Sequence, residues 1–101
     1  MDVDSLRKMV GTARDSAMLR LTLARLLSAR GDFADAEQHL LAALDMDAAS
    51  PAAWKELGRV RQQNGNPAGA AVAWRSGIEK ARENGDKQAE KEMTVFLKRV
   101  L

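Results

Sequence analysis

The sequence predicts an all-α fold, in which two antiparallel helix-turn-helix repeats form a short solenoid between an N-terminal flanking helix and a C-terminal capping helix. The main observation is internal similarity, because a shift of 34 residues aligns apolar and small residues without a gap. The aligned pairs are Leu23 and Leu57, Ala24 and Gly58, Leu26 and Val60, Gly31 and Gly65, Ala36 and Ala70, Leu40 and Trp74, Ala43 and Gly77, and Leu44 and Ile78. Composition agrees, because only 4% of the residues are aromatic and β-branched residues are scarce, which favours helices over sheet.

The length of 101 residues indicates one domain, residues 1–101. The repeat frame divides this domain into a flanking helix (1–12), repeat one (17–50), repeat two (51–84) and a capping helix (86–101). Short loops between successive helices predict that neighbours along the chain pack antiparallel.

The flanking helix is expected over residues 3–10, where four apolar residues share one helical face. Asp15 or Ser16 is a candidate N-cap for a second helix that runs to about Ala29, and Gly31 suits the left-handed residue that follows it. The second helix carries an apolar stripe at Leu19, Leu23, Leu26 and Leu27.

A third helix is expected from about Phe33 to Met46, with Asp32 and Asp35 as its cap and dipole partners. Its expected buried face is Ala36, Leu40, Ala43 and Leu44.

Repeat two opens with Ser50 and Pro51, an N-cap followed by proline at the first helical position. The fourth helix is expected to end near Gln63 and to bury Trp54, Leu57, Gly58 and Val60. Asn66 and Pro67 repeat the start signal for a fifth helix that ends near Arg82. Asp86 can cap a last helix whose inward residues are Ala89, Met93, Phe96, Leu97 and Val100.

At Trp54-x2-Leu57-Gly58, Ala70-x3-Trp74 and Gly77, the chain resembles a tetratricopeptide repeat, and residues 17–50 follow the pattern less closely. The chain departs from the family pattern at several positions. Arg20 stands at the first aromatic position of repeat one, while Leu27 and Arg61 stand at the tyrosine position, and Ala48 and Arg82 stand at the closing proline.

The resemblance implies a protein-interaction module, such as an adaptor, a scaffold or a co-chaperone-like protein. Such modules hold a peptide or a partner helix in a concave groove lined by the first helix of each repeat. The groove positions implied here are Met18, Leu21, Arg25, Ser28, Ala52, Lys55, Arg59 and Gln62. Lys55 falls on a lysine position with which some relatives grip a terminal carboxylate, but Arg25 and Arg59 replace the asparagine of that clamp.

Catalysis and metal binding are not expected. The chain has no cysteine, and its one histidine, His39, has no obvious partners. Glu37, Asp45 and Asp47 do not converge on one helical face, and no glycine-rich phosphate loop is present. Trp54 and Trp74 are expected in the core. We therefore predict a protein that is not an enzyme and uses no cofactor.

Charge gives a weak signal. The net charge is +2, with −2 in residues 1–50 and +4 in residues 51–101. A dedicated nucleic-acid binder carries a denser basic stripe, so RNA binding is the less favoured alternative. The N-terminus lacks the apolar core of a secretory signal, and no segment is long and apolar enough to span a membrane, so a cytoplasmic protein is expected.

The predicted partner is another protein, through an acidic or C-terminal peptide segment or an amphipathic helix. Met18 and Leu21 would supply apolar contact, and Arg25, Lys55 and Arg59 would supply charge. The alternative for these cations is a solvated face partly neutralised by Glu56. Two repeats make a short solenoid, so both a monomer and a weak homodimer stay open.

Overall fold

Six α-helices follow one another in the computed structural model, which describes residues 2–101. They are α1 (Val3–Arg7), α2 (Ala17–Ala29), α3 (Phe33–Met46), α4 (Pro51–Gln63), α5 (Pro67–Glu83) and α6 (Lys87–Val100). No strand occurs in this part of the chain, and the predicted all-α solenoid is confirmed.

The flanking helix is shorter than predicted, because α1 ends at Arg7 and turns follow it. The backbone N–H groups of Met9 and Val10 donate to carbonyl oxygens three residues earlier, at 3.0 and 3.2 Å, which is the pattern of tight turns. Gly11 then adopts φ +78°, and its N–H donates to the Asp15 carboxylate at 2.9 Å. These local bonds replace the expected last helical turn.

Side-chain caps set the starts of five helices. In each, the N-cap oxygen accepts a hydrogen bond from the backbone N–H three residues later, at 2.8 to 3.3 Å. The caps are Asp2, Ser16, Ser50, Asn66 and Asp86. Asp32 is the exception, because its carboxylate pairs with Arg30 at 2.8 Å and makes no capping bond. Asp32 therefore lies at the predicted N-cap position, but its side chain does not cap the helix.

Sequential helices pack against one another from α1 to α6, and α4 also contacts both α2 and α6. The helices α2, α4 and α6 therefore form a row, which we call the inner face, while α3 and α5 fill the spaces between them on the outer side. This order brings the C-terminal helix beside the first helix of repeat two.

The core divides into two clusters joined by Trp54. The first lies around α1 to α4, and the second around α5 and α6. Trp74 is fully buried, as predicted, and its indole N–H donates to the Lys55 carbonyl oxygen at 3.2 Å. Trp54 is only half-buried, and its indole N–H donates to the Ala48 carbonyl oxygen at 2.8 Å. Both tryptophans are therefore held by the fold and do not project as ligand platforms.

Arginine pairs occupy two positions where the resemblance expects aromatic rings. Arg20 donates to Asp15 at 2.8 Å and to Nδ1 of His39 at 3.2 Å, tying the segment before α2 to α3. Arg61 lies 3.5 Å from Glu37 and donates to the Gly69 carbonyl oxygen at 3.2 Å, bridging α3, α4 and α5. The hydrogen bonds from Arg20 hold the pKa of Asp15 well below its usual range. Burial lowers the pKa of His39. Its Nδ1 atom accepts the hydrogen bond from Arg20, because a guanidinium group can only donate.

Replacing Asp15 with asparagine is expected to lower the stability of the protein at pH 7. It should also make the stability depend less on pH in the acid range. The folded pKa of Asp15 is depressed, so its stabilisation is present above about pH 4 and is lost as the pH falls further. Urea midpoints measured from pH 2 to 7 for the wild type and Asp15→Asn test this expectation. Asp4→Asn is the matched control, because Asp4 is exposed. If the urea midpoints of the two variants changed equally with pH, the acid sensitivity would not come from Asp15.

Candidate functional site

The main cleft of the inner face opens between α2 and α4. It has a volume of about 480 Å³. Its lining comes from α2, from α4, from the loop after α2 and from the first residue of α3, and consists of Arg25, Ser28, Ala29, Gly31, Phe33, Glu56, Arg59 and Gln63. The Ser28 hydroxyl donates to Oε1 of Gln63 at 3.3 Å, which joins the two helices within the cleft.

A second, smaller cleft continues from α4 onto α6. It has a volume of about 190 Å³ and is lined by Arg59, Gln62, Gln63, Phe96 and Arg99. Arg59 and Gln63 line both clefts, so the two form one continuous surface across the three inner helices. We call the combined surface the basic cleft, because three arginines face it, one from each helix.

Arg59 stands at the centre of the basic cleft. Its guanidinium carbon lies 5.7 Å from the centre of the Phe96 ring, a cation–π distance. Arg25 lies 3.9 Å from Glu56, at the limit of an ion pair. Within residues 2–101, neither Arg59 nor Arg99 has a carboxylate oxygen within 4.0 Å. Two of the three guanidinium groups therefore have no carboxylate partner among the described residues.

The predicted groove residues divide into two groups. Arg25, Ser28, Arg59 and Gln62 line the basic cleft. Met18 is 67% exposed and lies apart from them, beside a recess of about 150 Å³. The structure thus brings most of the predicted polar groove residues together and leaves Met18 at the other end of α2.

Leu21 and Lys55 were expected to face the groove, but the structure gives both of them contacts inside the protein. Leu21 is only 5% exposed and belongs to the core, because it packs at the junction of α2 with α3 and α4, so it offers little apolar surface to a ligand. Lys55 is half-buried, and its Nζ lies 3.3 Å from Glu92 of α6. Its charge is therefore satisfied inside the protein, and it fastens α6 to α4.

Arg99 and Phe96 were not among the groove residues predicted from the sequence. The 34-residue frame treats residues 86–101 as a cap, although α6 repeats the pattern of α4 at a spacing of 36. In this alignment the N-cap Asp86 corresponds to Ser50, Ala89 corresponds to Ala53, and Met93 corresponds to Leu57. The spacing is longer than the 34 residues of the repeat because α5 continues to Glu83. Aligning helix starts would have placed Arg99 at the position of Gln63.

Other residues considered for function lie elsewhere. His39 contacts Arg20 between α2 and α3, outside the basic cleft. No group of three His, Asp or Glu side chains in the described residues is placed to hold a metal ion. None of the helices described here is long and apolar enough to cross a membrane.

Comparison with known proteins identifies relatives over nearly the whole chain. The tetratricopeptide repeat family matches residues 17–60. The TPR repeat-containing protein PA0015 of Pseudomonas aeruginosa is 43% identical over 100 residues, which is 99% of this chain and 95% of that protein. The solution structure of protein BPP2914 from Bordetella parapertussis matches with a TM-score of 0.84 and 41% identity, covering 97% of this chain and 85% of that one.

Proposed function

The chain belongs to the tetratricopeptide repeat family, whose repeats generally mediate protein–protein interaction, and from this premise we propose that its inner face binds a segment of a partner protein. The segment is an acidic or carboxylate-ended peptide, or an amphipathic helix with an acidic side, and it lies in the basic cleft. The protein acts there as a non-catalytic adaptor or scaffold. No covalent chemistry is needed, since binding uses charge, hydrogen bonds and partial burial.

The exposed Arg59 guanidinium carries the proposal. It is held above the Phe96 ring in the middle of a cleft, and no carboxylate of the described chain lies within 4.0 Å of it. A guanidinium group can donate two parallel hydrogen bonds to a carboxylate, which suits it to this role. Arg25 supplies a second guanidinium in the same cleft, and Ser28 and Gln63 supply hydrogen-bonding groups to a peptide backbone.

Changing Arg25 and Arg59 together to glutamate is expected to abolish partner binding. Affinity capture from native lysate, with quantitative mass spectrometry, compares this double variant with the wild type. The wild type should bind its partner segment with a dissociation constant on the order of micromolar, and affinity should fall as salt rises, because the contacts are charged and solvent-accessible. Proteins held by the wild type should be missing from the double variant.

The matched control is the double variant Arg14→Glu and Arg75→Glu, which makes the same charge change at exposed positions outside the basic cleft. It should retain the captured proteins. Both double variants should melt near the wild-type temperature, because exposed charges contribute little to stability. Retention of the same proteins by the Arg25 and Arg59 variant would contradict the proposal, as would its unfolding, which would make these arginines structural.

Light scattering after size exclusion accompanies the capture experiment, since self-association is the alternative use of the same solenoid. If the wild type is dimeric and the double variant at Arg25 and Arg59 is monomeric, the basic cleft binds a second copy of this chain. A monomeric wild type leaves the surface available to a different protein.

A further inference from the structure

The C-terminal helix contributes more to the inner face than a cap would need. Its inward residues Ala89 and Met93 are buried against α5, as expected of a cap. A second set of its residues turns toward α4, where Glu92 pairs with Lys55 and Phe96 lies beneath Arg59. These contacts fix the helix alongside α4, and they place Arg99 at the edge of the smaller cleft.

The basic cleft is therefore incomplete without α6. Two of the five residues that line its smaller part, Phe96 and Arg99, come from this helix. Phe96 is half-buried and tilted against Trp74, with ring centres 5.4 Å apart, so its position depends on the core. Arg99 is exposed and faces the same opening as Arg59.

We infer that α6 is the third wall of the binding surface, and that Arg99 acts with Arg25 and Arg59 to hold an acidic segment of a partner protein that crosses all three inner helices. This rests on the proposed function, that the inner face binds a partner. It adds the direction of the ligand, the chemistry of its side chains and a specificity-determining residue in the C-terminal helix.

The distance between neighbouring helices sets how far apart the acidic residues of the ligand must lie. Packed helices lie about 10 Å apart, and an extended chain advances roughly 3.3 Å per residue. Arginines on three adjacent helices therefore match carboxylates about three residues apart. Glu56 lies in the same cleft next to Arg25, so a ligand must displace that weak contact at one end, whereas Arg59 and Arg99 are open at the other.

A peptide fits this surface better than RNA. Single-stranded RNA is held by a basic groove together with aromatic rings on which bases stack. All four aromatic side chains of this chain are buried or half-buried. Phe96, the aromatic ring in the smaller cleft, is already covered on one side by the Arg59 guanidinium.

Nuclear magnetic resonance titration tests the inference with the full chain. The probe is a seven-residue peptide with aspartate at its first, fourth and seventh positions and glycine or serine between them, with both ends blocked. The side-chain N–H signals of Arg25, Arg59 and Arg99 should shift as peptide is added up to about 2 mM, a range that covers weak binding.

The decisive comparison is Arg99→Glu against Lys98→Glu. Both residues are exposed on the last turn of α6 and both changes reverse one charge, but only Arg99 lines the cleft. Arg99→Glu should weaken peptide binding at least about fivefold, and Lys98→Glu less than about twofold, since a non-contacting charge acts only through the screened field. Equal effects of the two variants overturn the inference, as does the absence of shifts in the wild type.

Two further readouts separate this inference from the proposed function. If the lysate partner is lost on the Arg25 and Arg59 double variant but kept by Arg99→Glu, the partner binds the inner face without α6, and the inference fails while the proposed function stands. A uridine oligonucleotide that shifts the same arginine signals at lower concentration than the peptide also overturns it, in favour of nucleic acid.

Discussion

Replacing Gly58 with leucine is expected to destabilise the protein by about 3 kcal/mol, the upper end of the usual cost of overpacking. A side-chain carbon added at Gly58 would overlap the five-membered ring of Trp74. That ring has nowhere to go, because Trp74 is fully buried, its N–H donates to the Lys55 carbonyl oxygen, and Phe96 packs against it. Helix α4 must therefore move away from α5.

Thermal unfolding followed by circular dichroism measures this effect. For a domain of this size, 1 kcal/mol corresponds to roughly 4–8 °C in the midpoint, so a drop of more than about 12 °C is expected. Ala68→Leu is the control, because it adds a side chain of the same kind at an exposed position in the first turn of α5. A midpoint for Gly58→Leu that equals that of Ala68→Leu would mean that α4 and α5 do not meet at Gly58.

Deleting residues 86–101 is expected to leave a protein that aggregates. The deletion removes Met93, whose sulfur lies where a side chain at Gly77 would be, and Phe96, which packs against Trp74. Apolar surface of α5 would then face water, and exposed patches of this kind favour association. Size exclusion with light scattering and dye binding reports the result. A truncated protein that stays monomeric with the wild-type melting temperature would show that α6 is a detachable tail.

Met93→Ala gives the same test in the full chain. Met93 is fully buried, and removing a large buried side chain costs about 2–5 kcal/mol. Val95→Ala is the matched control, because Val95 lies on the same helix and is 43% exposed, so its truncation should cost little. Equal losses in the two variants would contradict the packing of α6 described above.

The starts and ends of α2 to α6 were predictable from the sequence within about one residue. The signals are local: Ser50 and Asn66 cap a helix that opens with proline, and glycines at φ +85°, +78° and +68° follow the helices. The buried face of α3 was also predictable, because its apolar spacing of three and four residues is a property of one helix. Only α1 was predicted too long, where turn-forming bonds near Gly11 compete with the helix.

The candidate site was less predictable. The resemblance to tetratricopeptide repeats placed Arg25, Ser28, Arg59 and Gln62 on the groove side, and the structure gathers them in one cleft. It assigned Leu21 to the same side, although Leu21 is enclosed by α3 and α4. Burial of this kind depends on how two other helices approach, which repeat spacing does not specify.

The sequence by itself determined where α2 to α6 start and stop, and that the chain is a tetratricopeptide repeat solenoid. Those features depend on residues at most a few positions apart or on a fixed repeat. Only the tertiary structure decided that Lys55 is paired with Glu92, 37 positions later, and that Arg59 lies over Phe96. Such contacts depend on the rotation of α6 about its own axis. The packing of Met93 against Gly77 and of Phe96 against Trp74 sets that rotation, and it turns Arg99 toward the cleft.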